Sequence, residues 1–271
     1  MGLKFTVLAS GSTGNALLVE NQEVRLLIDV GLSAKKIDQL LSAREREGAR
    51  IDGILVTHEH SDHIKGLGVF ARKHQIPVYA NERTWMEIDR IVAKSEELDR
   101  RSFRTGEQMD FGSMRVESFE ISHDAAEPVG YRFHSGDQIL SLATDTGYVS
   151  DKMKALLADS DVLILESNHD VAMLRAGSYP WNVKRRILGD NGHLSNDAAA
   201  EALCDMLTGR IRRVYMAHLS RQHNLLDLAR LTLNNLLQER GYQTGAVGTK
   251  GIALMDTYYD RPTDWDDLLH A

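Results

Sequence analysis

The chain has 271 residues, 42% hydrophobic and 26% charged, ordinary values for a globular protein with a sizeable core. Its 39 acidic and 32 basic side chains leave a net charge of −7, so any nucleic-acid contact has to be a local patch and not a global field. A single cysteine, Cys204, excludes an internal disulfide and suits a reducing compartment, and no apolar run approaches membrane-spanning length; a cytoplasmic protein without membrane contact is expected.

Strand-length apolar runs open with KFTVLAS (4–10) and ALLVEN (16–21). Between them SGSTGN is a small-residue loop whose backbone N–H groups could meet a phosphate. VRLLIDVG (24–31) follows, then SAKKIDQLLSARERE (33–47), where Ile37, Leu40 and Leu41 share one helical face. DGILVTH (52–58) runs directly into the polar cluster HEHSDH (58–63). PVYAN (77–81), MRVESFEIS (114–122), VGYRFHS (129–135) and QILSLATDTG (138–147) continue the strand series. DVLILESN (161–168), RVYMAH (213–218) and GIALMDTYY (251–259) complete it. SNDAAAEALCDMLTG (195–209) opens on a Ser or Asn cap, and NLLDLARLTLNNLLQERG (224–241) repeats leucine at helical spacing up to Gly241. Strands interrupted by single helices predict a layered α/β architecture with mixed sheets. No Pro- or Gly-rich linker divides residues 1–271, so one domain is expected. An internal echo supports this: LLIDVG and LSLATDTG each end a strand on Asp-x-Gly and lead into a helix and a further apolar strand.

The chemistry concentrates in His58-Glu-His60-Ser-Asp62-His63, at the exit of a buried strand. Imidazole is the commonest metal ligand, and alternate residues leaving a strand share a face, so His58 and His60 aim together. Asp62 and His63 fall on the turn into the next helix and address a neighbouring point. One loop therefore supplies two pairs of ligands, enough for two metals if other segments complete them.

The pattern H-x-H-x-D-H resembles the signature of the metallo-β-lactamase-fold hydrolases, and further motifs follow in that family's order. Asp29 in LLIDVG, His123 in ISHDAAEPVGYRF, Asp145 in ATDTG and His218 in YMAHLSRQHN are similar to its remaining motifs. The resemblance spans almost the whole chain and implies a four-layer αββα sandwich. It implies that His58, His60 and His123 hold one metal and Asp62, His63 and His218 another, with Asp145 bridging. It places Asp29 behind the ligands, orienting an imidazole. Two metals sharing a carboxylate make hydroxide available near neutral pH, and Asp62 would orient the attacking water and accept its proton. Zinc, manganese and iron all suit such a mixed His/Asp set. His74, His134 and His270 lack this context and are expected at the surface.

Lactams, thioesters and phosphodiesters all yield to this chemistry, so the substrate needs other evidence. ISHDAAEPVGYRF and GHLSNDAAAEAL resemble segments of the tRNase Z-like phosphodiesterases. By that resemblance His193 assists departure of the leaving oxygen. Ser195 or Asn196 caps a helix whose N-terminus favours a phosphate. Lys184, Arg185 and Arg186, just before GHLSN, form a candidate phosphate-binding strip, with further basic clusters at Arg210/Arg212/Arg213, Arg221 and Arg100/Arg101/Arg104. Tyr179 and Trp181 could add base stacking. The ESNHD loop leaves a strand beside the catalytic motifs, so Asn168 and His169 are candidates to support the ligands. Only 22 positions separate His123 from Asp145 and 73 separate Asp145 from His218, too few for the tRNA-gripping arm or the β-CASP insertion of relatives. The wording SGSTGNALLV, ISHDAAEPVGY, ESNHD and LGDNGHLSN is similar to the WalJ/YycJ branch, which implies a metal-dependent exonuclease acting 5′ to 3′ on double-stranded DNA. A small-molecule phosphodiesterase, a thioesterase or a lactamase uses the same metals. A binding module without activity is disfavoured by the intact ligand set.

Overall fold

A computed structural model of the chain describes residues 2–268. These residues form two compact units, the first within 1–120, 125–137 and 257–267, the second within 121–124 and 138–256 with Leu268.

In the first unit, β1 (Lys4–Ala9), β2 (Ala16–Glu20) and β3 (Arg25–Ile28) run antiparallel. β4 (Gly53–Leu55), β5 (Val78–Asn81) and β6 (Arg100–Phe103) then extend the sheet in parallel from β3. Short hairpins suffice for the antiparallel steps, whereas each parallel step needs a crossover. The crossovers are α1 (Ala34–Ser42), the pair α2 (Ser61–Ile64) and α3 (Leu67–His74), and α4 (Glu82–Ile91). Ser33 Oγ accepts the Lys36 N–H and Asn81 Oδ1 the Thr84 N–H, satisfying backbone donors that open α1 and α4. Ile37, Leu40 and Leu41 face inward as their spacing predicts, joining Leu8, Leu27, Phe70 and Trp85 in the core. The helix stops at Ser42, short of the sequence expectation. Glu45 turns left-handed (φ 58°) and Arg46 reaches the buried Glu20, its Nε donating at 2.8 Å. β7 (Gln108–Phe111), β8 (Met114–Glu120) and β9 (Val129–Ser135) form an antiparallel meander in this unit. A late segment returns to β1: the Thr263 N–H donates to the Val7 carbonyl at 2.9 Å, and a last strand (Asp266–Asp267) pairs with Lys4 and Phe5.

Three loops of this unit interlock through Gly31. Its N–H donates to the Asn15 carbonyl at 2.9 Å, the Asn15 N–H donates to the Asp62 carbonyl at 2.8 Å, and a Cβ on Gly31 would collide with that same carbonyl. Gly31→Ala should therefore lose about 1–3 kcal/mol of stability, the usual cost of overpacking. Denaturant unfolding measures this, and an unmoved midpoint would show that the loops do not need the close approach.

The second unit carries the parallel strands β10 (Gln138–Ala143), β11 (Val162–Glu166), β12 (Arg213–Ala217) and β13 (Ala253–Asp256). All five residues of β11 and of β12 are buried, the near-continuous apolar pattern of strands covered on both faces. Its helices are α5 (Asp151–Leu157), α6 (Val171–Ala176), α7 (Trp181–Ile187), α8 (Asn196–Met206) and α9 (Leu226–Glu239). Ser195 caps α8, Cys204 packs as a buried hydrophobe within it, and Gly241 (φ 83°) follows the end of α9. The internal echo has a structural counterpart. Asp29 after β3 and Asp145 after β10 both take left-handed backbone (φ 62° and 59°), as does His218 after β12 (φ 54°). In the second Asp-x-Gly, a Cβ on Gly147 would strike the Asp190 carbonyl, just as one on Gly31 strikes Asp62.

Two of the histidines expected at the surface are half-buried instead. His74 Nε2 lies 2.9 Å from Asp38 Oδ1, and His134 Nε2 lies 3.6 Å from Glu117. The Asp38 contact holds His74 there, whereas His134 Nε2 makes no hydrogen bond and burial lowers the pKa of its ring. His270 lies outside the described residues. No helix among the described residues is long and apolar enough to cross a membrane.

Candidate metal centre

In the first unit one loop carries several candidate ligands. β4 runs on through Val56, whose carbonyl accepts the Tyr131 hydroxyl at 2.6 Å, to Thr57 and the fully buried His58. His60 precedes α2, and that one-turn helix carries Asp62 and His63. The His58 ring lies 4.7 Å from the His60 ring and 4.1 Å from the His63 ring, centroid to centroid. Asp29 sits behind them. Its carboxylate accepts the Thr57 N–H and hydroxyl, both at 2.8 Å, and faces His63 Nδ1 at 2.7 Å. An imidazole anchored through Nδ1 keeps Nε2 for another partner. Burial pushes the Asp29 pKa up, against the opposing pull of His63 and of the Thr57 donors. Asp62 Oδ2 lies 3.5 Å from His63 Nε2 and accepts from Asn15 Nδ2 at 3.3 Å. The glutamate of the motif is spoken for otherwise: Glu59 Oε1 accepts the Ala126 N–H at 2.7 Å and holds that loop.

Asn15 went unnoticed in the sequence. It ends the small-residue loop, and only the fold brings it to Asp62 and His63. The loop's expected role as a phosphate cradle is corrected in part. The N–H groups of Ser10, Gly11, Gly14 and Asn15 all bond within the protein, to Tyr258, Asn15, Gly11 and Asp62.

The second unit carries a set of its own. His123 donates from Nδ1 to the Gly192 carbonyl at 3.1 Å, and its Nε2 lies 4.0 Å from Asp145 Oδ1. His218 Nδ1 lies 3.2 Å from Asp145 Oδ1 and 3.0 Å from Glu166 Oε1. His193 Nδ1 meets the same Glu166 oxygen at 2.8 Å. Asp145, Glu166, His193 and His218 thus bring ligand atoms within 4.8 Å of one another. Left-handed backbone at Asp145 and His218 costs on the order of 1–3 kcal/mol each, strain that clusters at functional sites.

Glu166 is a second residue that sequence reasoning missed. It ends the apolar strand β11 at 0% exposure, and Oε2 accepts the N–H groups of Thr146 and Leu194. Burial alone would push its pKa up, but the His193 charge and the hydrogen bonds from His193 and His218 hold it well below the usual carboxylate range. Reciprocally, burial works against a charged His193, and Glu166 overcomes this and raises the His193 pKa. A carboxylate closing a strand of fully buried residues was the available signal, because such a group needs fixed partners.

Of the residues expected to support the ligands, Asn168 donates from Nδ2 to the His218 carbonyl at 2.8 Å. His169 is buried with neither ring nitrogen hydrogen-bonded, and burial pushes its pKa down to about 4. Only its backbone joins the set, pairing with Ser195.

The expected phosphate strip requires correction. Lys184 is buried, and its Nζ donates to the Arg175 and Gly177 carbonyls, both at 2.7 Å, closing the end of α6. Asn196 is buried in a side-chain network with Ser167 and Asn224, and Ser195 Oγ serves the Ala198 N–H. Those polar groups are consumed by the fold. Arg185 and Arg186 are exposed, and Arg186 pairs with Asp124 at 3.2 Å. Among the other basic clusters, Arg210 pairs with Asp159 and Asp161, Arg213 is buried in β12, and Arg100 pairs with Glu82 and Asp89. The Tyr179 ring packs edge-on against His223 at 4.4 Å, whereas Trp181 stands exposed.

Each unit thus groups imidazoles with carboxylates in buried surroundings. Such a donor set fits divalent ions of intermediate softness, for which burying several imidazoles beside few carboxylates is chemically sensible.

A model described as "Beta-lactamase superfamily domain" matches residues 24–219. The chain is 50% identical over 263 residues to "Exodeoxyribonuclease YycJ" of Bacillus anthracis, covering 97% of this chain and 98% of that protein. It is 45% identical over 247 residues to "Exodeoxyribonuclease WalJ" of Streptococcus pneumoniae, covering 90% and 92% respectively. Among solved structures, the metallo-β-lactamase fold protein YhfI of Bacillus subtilis superposes with a TM-score of 0.71 at 15% identity, over 97% of this chain and 99% of that one.

Proposed function

Because this chain belongs to the β-lactamase superfamily and has its α/β sandwich hydrolase fold, we propose that it is a metal-dependent exonuclease acting 5′ to 3′ on double-stranded DNA. The chain acts as one catalytic domain. By the family resemblance His58, His60 and His123 would hold one divalent ion and Asp62, His63 and His218 a second, with Asp145 completing the set. Bound there, the ions supply Lewis acidity and lower the pKa of water. The protein's own groups do the rest. Asp29 fixes the His63 ring, Asp62 orients the attacking water and takes its proton, and Arg185 and Arg186 meet backbone phosphates.

The observation that carries the reading from hydrolase to phosphodiesterase is the pairing of His193 with Glu166 at 2.8 Å. A buried carboxylate that favours the imidazolium keeps a proton ready at His193, and a departing sugar oxygen needs one. The near-full-length identity to two proteins named exodeoxyribonucleases supports DNA as the substrate. A digestion panel of end-labelled DNA and RNA, with stripped protein reloaded with zinc, manganese or iron, tests polymer, polarity and metal together. Hydrolysis indifferent to nucleic-acid length would favour a small phosphodiester substrate instead.

The corrected strip gives a sharper test. Each arginine that displaces a counterion from phosphate contributes about one unit of log–log salt slope. Arg185→Ala and Arg186→Ala should each weaken binding to any sequence and flatten the slope by roughly that amount. Lys184→Ala should lower the melting temperature and leave the slope alone. A flattened slope on Lys184→Ala alone, with both arginines silent, would reverse this assignment.

A further inference from the structure

The protein has three tryptophans, and the fold treats them differently. Trp85 is buried, and Trp265 is half-buried with Lys4 and Arg46 lying over its ring at 5.0 and 4.8 Å. Trp181 is 60% exposed, and its indole makes no hydrogen bond or ring contact with any described residue. It opens α7, and helical spacing puts Arg185 and Leu188 on its face, one and two turns further on. Both are exposed. Arg186 follows on the same helix, paired with Asp124 next to His123. This helix therefore offers an open aromatic face and two guanidinium groups, and its far end reaches the loop that carries one proposed ligand.

We infer that α7 holds unpaired nucleobases, with Trp181 as the stacking platform and Arg185 and Arg186 on the adjoining backbone; this deepens the nuclease reading and rests on it. Interleaved arginine and exposed aromatic groups are how proteins grip single strands, because every base has a π-face and every link a phosphate. Trp181 and Arg186 are five residues apart, about 7 Å along a helix axis. That matches about two nucleotides at the ~3.4 Å rise of a stacked strand. Inside a duplex both faces of a base are covered by its neighbours, so a base lying on Trp181 belongs to a strand end, where an unpaired base presents its face without the partner strand beside it. The substrate class follows: DNA ends whose terminal nucleotides are frayed or overhanging.

The test uses metal-loaded protein and phosphorothioate oligonucleotides that resist cleavage. Three probes are compared: a single strand, a duplex with a short overhang and a blunt duplex. Indole fluorescence should quench with the first two and respond weakly to the third. By anisotropy, Trp181→Ala should bind the single strand at least about tenfold more weakly, within the range for loss of one stacked base. Trp181→Phe should keep most of the affinity while losing the fluorescence response, and both variants should melt with the wild type. Unchanged affinity in Trp181→Ala, or blunt ends bound as well as overhangs with the same dependence on the indole, would overturn the inference. Should Trp181→Ala weaken binding while the wild type digests no nucleic acid with any metal, the nuclease reading fails and the base-binding surface stands. Digestion that ignores the indole sinks the inference alone.

Discussion

Asp62→Ala should reduce phosphodiester hydrolysis at least ~100-fold, the low end for losing general-base assistance. The side chain stands beside His63 at 3.5 Å and is held by Asn15, a geometry that points one carboxylate oxygen while leaving the group half-buried. The fold should survive the change. It is the main-chain carbonyl of Asp62, and not the carboxylate, that accepts the Asn15 N–H and packs against Gly31. Activity loss can then be read as chemistry, with unfolding as the control. Metal content per chain has to be measured alongside, since the carboxylate is also a proposed ligand. Near-normal turnover with full metal content would remove Asp62 from the mechanism.

His193→Ala should fall by a comparable factor on DNA, about 10²- to 10⁴-fold, and for a different reason. A proton donor to the leaving oxygen acts in the transition state, so turnover should drop while affinity holds. An activated ester whose leaving group is already a weak base needs no proton, and its hydrolysis should be largely spared. Glu166→Gln supplies the contrast. The same Glu166 oxygen lies 2.8 Å from His193 and 3.0 Å from His218, so its loss disturbs a proposed ligand as well as the donor. That variant should lose both substrates together. If His193→Ala also lost both equally, His193 would belong to the ligand framework and not to leaving-group chemistry.

Local patterning in the sequence told most about what each segment does by itself. The inward faces of α1, the Ser195 cap and the stop of α9 near Gly241 all depend on residues within a turn of one another. Spacing likewise indicated that His58 to His63 leave a strand together. Glu166 was legible only as a carboxylate closing a buried strand; its partners were not, because His193 and His218 lie 27 and 52 positions away. Lys184 failed in the opposite direction. Its neighbours Arg185 and Arg186 are solvated, and adjacency suggested a shared role, but successive helical residues point in different directions and Lys184 points inward. Asn196 was read with Ser195 as a candidate cap of a phosphate-facing helix end, yet Ser195 takes the cap and Asn196 satisfies neighbouring loops through Ser167 and Asn224.

The return of residues 257–267 to β1 has a consequence for how this protein is made. The first unit is synthesised almost entirely by Glu120, yet one edge of its sheet and the Thr263 contacts wait for a segment on the far side of the whole second unit. At roughly 5–20 residues per second, the intervening stretch takes on the order of ten seconds to emerge from the ribosome. Through that interval β1 presents an unpaired edge, a template for wrong partners. The nascent protein is thus most vulnerable midway through translation, and slower elongation across the second unit would lengthen its dependence on chaperones.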